Sequence, residues 1–308
     1  MALVPTQDKP MSDSEFRMLS ELLRGHCGLH FDAETRYVFE RRVMRRVREL
    51  ELTSFAAYHL LLRSGSQGAQ ELARLVDELT INETYFFRER AQLTALASEI
   101  VPELRVARDG RPVNIWSAGC SSGEEPYSVV MLAREAGLVP GVDFRVYASD
   151  ISQRMLRRAR EGVYREASFR DTEPSLRERY FARCEHGRRI ADEVKKHVDF
   201  IHLNLFDASK LALLGTMDVI LCRNVIIYFD AIGKRRTIDT FHDTLRPGGY
   251  LLLGHSESLI NLSTCFELQQ LSRDLVYRRP VGTRTGGDAW RGIGADSLDA
   301  SDARELSG

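Results

Sequence analysis

A turn rich in glycine and serine carries the first residue pattern that could do chemistry. Gly119 and Gly123 stand in this turn, after the short apolar run 113–116, and Glu124 and Glu125 follow directly. Glycine lets a bulky ligand approach the backbone, and acids at a helix start oppose a phosphate. The pattern therefore disfavours NAD, FAD and ATP, and it favours a cationic ligand such as S-adenosylmethionine. An ordinary glycine-rich turn is the alternative.

Polar residues also follow two other predicted strands. Asp150 comes after the strand pattern 144–148 and is placed to accept both hydroxyls of a ribose, although it could instead cap the next helix. Asn204 offers the donor and the acceptor that an adenine edge requires, and Leu205 could pack on the ring face. Both positions favour a nucleoside, and neither chooses the cofactor.

A fourth strand pattern is followed directly by a charged residue and an amide. The apolar run 219–222 is followed by Arg223 and Asn224, and Tyr228 comes one helical turn later. Because open α/β proteins bind their ligands at the carboxyl ends of the strands, we expect these side chains to gather at one edge of a sheet.

The elements that must position these residues alternate after residue 110. Helical patterns at 127–134 and 153–160 lie between short apolar runs, at 113–116, 144–148, 198–203, 219–222 and 250–253. This alternation predicts βαβ units, a parallel sheet and right-handed crossovers. A polar, charge-rich stretch between Gly162 and His197 interrupts the pattern, and we interpret it as an insertion.

The first 80 residues show helical periodicity and no strand pattern. Ser12 and Glu15 have the spacing of a capping box, and Gly25 and Gly28 are expected to end the first helix. Three more helices are predicted: one capped by Asp32 and running to Leu50, one capped by Thr53 or Ser54, and one over 69–79. This part of the chain is a small all-helical domain.

The composition excludes several classes of protein. The net charge of −1 over 308 residues disfavours a general nucleic-acid binder. No apolar run approaches the ~20 residues that span a bilayer, and no secretion signal is recognisable, so we expect a cytoplasmic protein without membrane insertion. Five scattered cysteines predict no disulfide framework, and we expect no metal. Residues 281–308, which are poor in apolar side chains, are predicted to be a disordered tail.

Five segments of the chain carry a resemblance to a known family. They are INETYFFRE (81–89), WSAGCSSGEEPYS (116–128), ASDI (148–151), CRNVIIYF (222–229) and GHSE (254–257). Together they resemble the chemotaxis receptor methyltransferases, the CheR family, over about residues 12–280. The resemblance implies an α/β fold: a class-I, Rossmann-like methyltransferase domain over 91–280 with a small inserted β-subdomain at about 162–198. An all-α domain over 11–90 precedes it and is implied to dock on receptors.

The same resemblance implies the activity and the site residues. It implies that S-adenosylmethionine donates a methyl group to glutamate side chains of chemotaxis receptors, leaving S-adenosylhomocysteine. The implied cofactor contacts are Asn82, Thr84, Arg88, Glu125, Asp150, Asn204, Leu205, Arg223 and Asn224. Arg88 and Tyr228 are implied to lie near the transferred methyl group. Another class-I methyltransferase, acting on a nucleic acid or a small molecule, is one alternative. A non-catalytic cofactor-binding adaptor is another.

The predicted second helix is rich in arginine on the face away from its apolar stripe. Arg42, Arg45 and Arg46 are predicted to dock on the glutamate-rich helical bundle of a receptor. A solvated charged face and an RNA-binding face are the alternatives.

The stretch 180–198 is a few residues shorter than in family members that dock on a receptor's C-terminal pentapeptide. It resembles the members that act without that tether.

Overall fold

The computed structural model describes residues 10–282, and the first part of this range is a bundle of helices. The bundle consists of α1 (Asp13–Cys27), α2 (Arg36–Glu49), α3 (Phe55–Leu62) and α4 (Gly65–Leu79). Their apolar stripes meet in one core, in which Leu19, Leu23, Phe39, Val43 and Leu75 are fully buried. The predicted all-helical domain is therefore confirmed.

Two of the predicted helix caps are present. At the start of α1 the hydroxyl of Ser12 accepts from the backbone N–H of Glu15, and the Glu15 carboxylate accepts from the backbone N–H of Ser12. At the start of α3 the hydroxyl of Ser54 accepts from the N–H of Ala57 at 3.1 Å. These bonds satisfy N–H groups that a helix start leaves without an intrahelical partner.

Helix boundaries differ from the predictions at three places. Asp32 does not cap α2, because its carboxylate accepts from the N–H of Thr35 within a turn that precedes the helix. Gly25 does not end α1, since the left-handed residue that stops this helix is Gly28. The fourth helix begins at Gly65 instead of residue 69, where tertiary packing overrides weak local propensity.

The rest of the described chain alternates strands with helices. α5 (Arg90–Ala95) continues through a π-helical turn (Leu96–Ile100) into α6 (Val101–Ala107). The elements that follow are β1 (Val113–Ala118), α7 (Glu124–Glu135), β2 (Phe144–Asp150), α8 (Gln153–Glu161), β3 (Val163–Tyr164), α9 (Pro174–Tyr180), β4 (Phe181–Cys184), β5 (Gly187–Ile190), α10 (Asp192–Lys195), β6 (Val198–His202), α11 (Ala208–Leu211), β7 (Met217–Cys222), α12 (Ala231–Thr244), β8 (Leu245–Leu253), β9 (Glu267–Gln270) and β10 (Leu275–Arg278).

Seven strands form the main sheet, in the order β6-β2-β1-β7-β8-β10-β9. The pairs β6–β2, β2–β1, β1–β7 and β7–β8 are parallel, whereas β10 is antiparallel to both of its neighbours. The predicted parallel α/β sheet is therefore confirmed. The strand order changes direction between β1 and β7, and such a switch point is where open α/β sheets bind ligands, at the carboxyl ends of the strands.

The polar stretch that interrupts the sheet contains a second, three-stranded antiparallel sheet in the order β3-β5-β4. An aromatic cluster fastens it to the segment that links α4 with α5. The rings of Tyr164, Phe169 and Phe181 lie 4.7, 5.4 and 4.8 Å from the ring of Phe86. The N–H of Phe86 also donates to the carbonyl of Ser168 at 2.9 Å. The inserted sheet therefore supports the linking segment.

Several predictions concern properties other than the fold. The tail predicted for 281–308 lies almost wholly outside the described residues, which end at 282. Within residues 10–282, no helix is both long enough and apolar enough to cross a membrane. The cysteines are all free thiols. The expected cytoplasmic location stays a prediction.

Candidate functional site

A cavity lies at the carboxyl edge of the main sheet, beside the switch point between β1 and β7. The loops after β1, β2, β6 and β7 form its wall, together with the segment that links α4 with α5. This wall contains every residue that the sequence analysis assigns to the cofactor or to the methyl group: Asn82, Thr84, Arg88, Glu125, Asp150, Asn204, Leu205, Arg223, Asn224 and Tyr228. The fold brings these side chains to one place, and their individual roles stay predictions.

The glycine-rich turn after β1 passes close to the loop after β7. Gly119 has a φ of +81°, and a Cβ atom there would lie 2.5 Å from a methyl carbon of Val225. Glycine is therefore required both by the backbone conformation and by the close approach. Ser121 in the same turn also has a positive φ, of 49°, which is a strained conformation for serine.

The two adjacent acids of this turn have different environments. Glu124 points away from the cavity and accepts from the hydroxyls of Ser122 and Ser168; burial raises the pKa of its carboxyl. Glu125 lines the cavity, where it accepts from Ser117 at 2.7 Å and from Arg223 at 3.0 Å. Only Glu125 is therefore placed to meet a ligand.

Asp150 ends β2 and is held by backbone donors. Its carboxylate accepts from the N–H groups of Ser121 and Ser152, each at 2.8 Å. Burial raises the pKa of Asp150, and the two backbone N–H groups act in the opposite direction. The helix after it is capped by Ser152, whose hydroxyl accepts from the N–H of Met155. The alternative in which Asp150 is the helix cap is therefore wrong.

Arg223 is a nearly buried part of the cavity wall and braces the segment that carries Arg88. The side chain of Arg223 is only 2% exposed and forms ion pairs with Glu89 and Glu125, both at 3.0 Å. It also donates to the backbone carbonyl of Arg88 at 2.5 Å. Phe87 and Glu89 have positive φ values, of 62° and 51°. The arginine thus stabilises a strained backbone on both sides of Arg88.

Arg88 and Tyr228 approach each other at the cavity. The Arg88 guanidinium donates to the carbonyl of Glu83 at 3.2 Å and lies 5.7 Å from the ring centre of Tyr85. Burial raises the pKa of Tyr228, while the positive charge of Arg88 acts against this rise. The Tyr228 phenol is therefore neutral at physiological pH. Its backbone carbonyl accepts from the N–H of His30, so the loop after α1 also holds this segment.

Asn204 uses much of its hydrogen-bonding capacity within the protein. Its amide donates to the carbonyl of His26 at 2.7 Å, and its side-chain oxygen accepts from the N–H of Phe206 at 2.9 Å. An amide has a second N–H, which is available for a ligand. The expectation that Asn204 offers both a donor and an acceptor to adenine is thus only partly met by its geometry.

Three buried polar atoms around the cavity have no hydrogen-bond partner among the described residues. They are the hydroxyl of Ser121, Nε of Arg223 and the side-chain oxygen of Asn224. Buried polar groups almost always have partners, and these lie beside the acids Glu125 and Asp150. The site fits a polar nucleoside ligand that carries positive charge. Together with the doubly wound sheet, it defines the class of S-adenosylmethionine-dependent methyltransferases.

Comparisons with known proteins agree with this class and make it narrower. The family model "CheR methyltransferase, SAM binding domain" matches residues 82–275, and "CheR methyltransferase, all-alpha domain" matches residues 14–80. The chain therefore belongs to the CheR methyltransferase family and binds S-adenosylmethionine.

Relatives with curated names match most of the chain. Chemotaxis protein methyltransferase 2 of Vibrio cholerae is 36% identical over 272 residues, which covers 88% of this chain and 94% of the relative. The chemotaxis protein methyltransferase of Vibrio parahaemolyticus is 38% identical, covering 87% of this chain and 98% of the relative. That of Escherichia coli is 36% identical, with coverages of 87% and 93%.

Several residues that build the site were not predicted from the sequence. Thr80, Tyr85 and Cys120 line the cavity, and Glu89 binds Arg223. Each lies in or beside a segment that carries the family resemblance, which was the available signal. Their contacts come from distant parts of the chain, so residue spacing alone could not assign them.

The arginines of α2 lie along a groove beside the cavity. Arg41, Arg42, Arg45, Arg48 and Arg154 line this groove together with Met44, Glu49, Glu78 and Thr80. Thr80 also lines the cavity, so the two depressions are neighbours. Burial lowers the pKa of Arg42, and the nearby charges of Arg45, Arg41 and Arg154 lower it further. The groove therefore has an excess of positive charge, with five arginines against Glu49 and Glu78, although Arg45 is paired with both acids.

Arg46 does not belong to this groove, although the docking prediction includes it. Its guanidinium binds the buried carboxylate of Glu71 at 2.7 and 2.8 Å and also pairs with Glu49. The hydroxyl of Tyr58 donates to the same Glu71 carboxylate at 2.9 Å. Arg46 is absent from the groove because its side chain points toward α4 and completes a hydrogen-bond network inside the bundle. Arg46 therefore stabilises the helical bundle, and this geometry gives no support to the prediction that it docks on a receptor.

Proposed function

We propose that this protein transfers the methyl group of S-adenosylmethionine to glutamate side chains of chemotaxis receptors. The observation that carries the proposal is the placement of Arg88 and Tyr228 together at the cavity that holds Glu125 and Asp150. The names of the relatives support the chemotaxis substrate, and the chemistry of the wall supports a carboxylate acceptor.

The cavity wall fits a substrate that needs no proton removed. None of its described lining residues is a histidine or a lysine, and burial raises the pKa of the Tyr228 phenol further above its usual value of about 10. The carboxylates of Glu83, Glu125 and Asp150 already accept hydrogen bonds from within the protein. A glutamate side chain, with a reference pKa near ~4.3, is already ionised at neutral pH. Such a carboxylate can attack directly, whereas a neutral hydroxyl would need a general base.

The residues of this chain would bind the cofactor, orient the carboxylate that is methylated and exclude water from the cavity. When bound, S-adenosylmethionine supplies a methyl group on a sulfonium; a carboxylate oxygen forms the new C–O bond as the C–S bond breaks. Asp150 and Glu125 would hold the nucleoside and the positive end of the cofactor, and Asn204 would hold its base. Arg88 would orient a carboxylate, since a guanidinium matches its geometry. Tyr228 would border the path of the methyl group and keep water out.

The groove beside the cavity supports docking of an acidic receptor surface. Arg42 and Arg45 lie on it, and the groove joins the cavity at Thr80, so a bound helix could place a glutamate at the cavity mouth. We retain Arg42 and Arg45 as docking residues.

The short stretch 180–198 supports methylation without a receptor pentapeptide. Equal methylation rates with and without added pentapeptide are therefore expected. A clear loss of rate on addition would contradict methylation that is independent of the pentapeptide.

The first experiment is isothermal titration of the protein with S-adenosylmethionine, S-adenosylhomocysteine and NAD. Only the two adenosyl ligands are expected to bind, because the acidic wall opposes phosphates. A folded sample that binds neither of them would overturn the cofactor assignment.

The second experiment measures methyl ester formation on membranes that carry chemotaxis receptors, with RNA as an alternative acceptor. Arg88→Ala and Tyr228→Phe are expected to lower kcat, and Arg111→Ala, an exposed arginine, is the matched control. Base-labile methyl groups on the receptors support the proposal. Methylation of RNA, or full activity in both cavity variants, would contradict it.

A further inference from the structure

The segment that follows β8 reaches back to the loop that follows β7. Glu257 in this segment accepts hydrogen bonds from three backbone N–H groups: those of Asn224 at 2.7 Å, Val225 at 2.9 Å and Gly254 at 2.8 Å. β7 and β8 are parallel neighbours in the sheet, so both loops begin at its carboxyl edge. One carboxylate therefore joins the two strand ends beside the cavity.

The geometry suits an ionised carboxylate at this position. One oxygen of Glu257 accepts from Asn224 and Gly254, and the other accepts from Val225, so both oxygens face donors. A carboxylate offers only acceptors, whereas an amide would turn an NH₂ group toward a backbone N–H. Burial raises the pKa of Glu257, and the surrounding backbone N–H groups lower it. Hydrogen bonds to an ionised acceptor are stronger than those between neutral groups.

The loop held by Glu257 has a conformation that it would not adopt readily alone. Asn224 has a φ of 60°, in the left-handed region. The backbone of Gly254 packs directly on Asn224. A Cβ atom at Gly254 would lie 2.7 Å from the side-chain amide nitrogen of Asn224. The side-chain oxygen of Asn224 is left buried and without a partner among the described residues. The loop then forms a short 3-10 turn that carries Tyr228.

We propose that Glu257 is a positioning residue that sets Asn224 for cofactor binding and Tyr228 for methyl transfer. The inference rests on the proposed function, because the roles of Asn224 and Tyr228 do. Glu257 itself does not line the cavity and acts through the backbone of the 224–228 loop. Misplacing a catalytic group by about 1 Å can lower a rate by about 10²-fold, so a loop held by one carboxylate is sensitive to that carboxylate.

The test compares Glu257→Gln with Glu267→Gln, which removes the charge of an exposed carboxylate on β9. Glu257→Gln is expected to weaken S-adenosylhomocysteine binding about tenfold in titration, since at least one charge-assisted hydrogen bond is lost. It is expected to lower kcat for receptor methylation by about 10²-fold while KM for the receptor is unchanged. Glu267→Gln is expected to match the wild type in all three quantities.

The stoichiometry of the titration separates positioning from simple loss of folded protein. A positioning role weakens affinity at unchanged stoichiometry, whereas a structural defect lowers stoichiometry at unchanged affinity and would overturn the inference. If Glu257→Gln does not fold, Glu257→Asp decides, because it keeps the charge but withdraws it by one methylene: a lowered kcat supports the inference and a wild-type kcat overturns it. Wild-type protein that binds S-adenosylhomocysteine without methylating receptors would instead contradict the proposed function, and the affinity comparison would still test Glu257.

Discussion

β7 carries a buried charged residue at each end, and the two ends are built differently. At its start, Asp218 is 1% exposed and accepts from the N–H of Asn114 at 2.8 Å, from Arg246 at 3.1 Å and from Arg108. Just past its end, Arg223 binds two carboxylates and a carbonyl, yet its Nε is buried without a partner among the described residues. The charged group at the amino end of β7 thus has its hydrogen-bond partners, whereas the one past the carboxyl end has a buried atom without a partner among the described residues.

The backbone shows a weaker form of this contrast, since at the amino edge Asp109, in the loop before β1, also has a positive φ, of 54°. Four residues with side chains and positive φ lie around the carboxyl edge, namely Phe87, Glu89, Ser121 and Asn224. Strained conformations and unpaired polar atoms cost free energy, and they persist where the surrounding structure enforces them. From the two ends of β7 we infer that the buried charge of Asp218 serves stability, while that of Arg223 serves the site.

Removal of Asp218 tests the structural side of this comparison and has the largest expected effect. Asp218→Ala leaves Arg108 and Arg246 without their carboxylate and is expected to lower the free energy of unfolding by about 3–5 kcal/mol. Denaturant titration measures this loss, with the exposed Asp239→Ala as its control. The affinity of the folded protein for S-adenosylhomocysteine should not change. A large change in affinity would show that the two ends of β7 are coupled.

Replacement of Arg223 tests the functional side. Arg223→Met removes the bond to the Arg88 carbonyl and the partner of Glu125, so the 87–89 segment and the acidic wall lose their brace. The loss of charge-assisted hydrogen bonds of about 1.5–3 kcal/mol corresponds to an affinity for S-adenosylhomocysteine about 10- to 100-fold weaker. Arg235→Met, on the surface of α12, is the control. An unchanged affinity would reduce Arg223 to a structural residue like Asp218.

The pH dependence of cofactor binding tests a second buried charge at the carboxyl edge, that of Asp150. In its predicted role the ionised carboxylate of Asp150 accepts from the ribose hydroxyls, so binding would favour that form and affinity is expected to fall as the pH falls. Because burial raises the pKa of Asp150, this fall should begin at a higher pH than for an ordinary aspartate, whose pKa is about 3.9. Titrations with S-adenosylhomocysteine from about pH 7.5 to about pH 5 should show it. Asp150→Asn should bind about tenfold more weakly with a flatter profile; a parallel profile would assign the titration to another group.

Much of the cavity could be predicted from the sequence, because its residues follow strand patterns directly. Asp150, Arg223 and Asn224 stand just after apolar runs, and the carboxyl ends of parallel strands meet at one edge. The helical bundle was predictable for a similar reason, since local caps such as Ser12 with Glu15 depend on neighbours in the chain.

The remaining features depend on contacts between distant residues. Arg46 looks like its neighbours on α2, but Glu71 on another helix turns it inward. Glu257 looks like a surface acid after a strand, and only the approach of the loop after β7 adds two donors to the one that Gly254 supplies within the same segment. Asn204 loses part of its expected capacity to His26, which belongs to the helical domain. Residue spacing contains no information about such partners.

Charge reversal in the groove has the smallest expected effect, because the groove is open to solvent, which screens charges such as those of the partly buried Arg42 and the exposed Arg45. Arg42→Glu with Arg45→Glu is expected to raise KM for the receptor about two- to fivefold at low salt, with kcat and S-adenosylhomocysteine affinity unchanged. The difference should shrink as ionic strength rises, since the Debye length falls to about 8 Å at 0.15 M. Arg111→Glu with Arg235→Glu changes the net charge equally at exposed positions outside the groove. Equal effects of the two double variants would mean that overall charge, and not the groove, attracts the receptor.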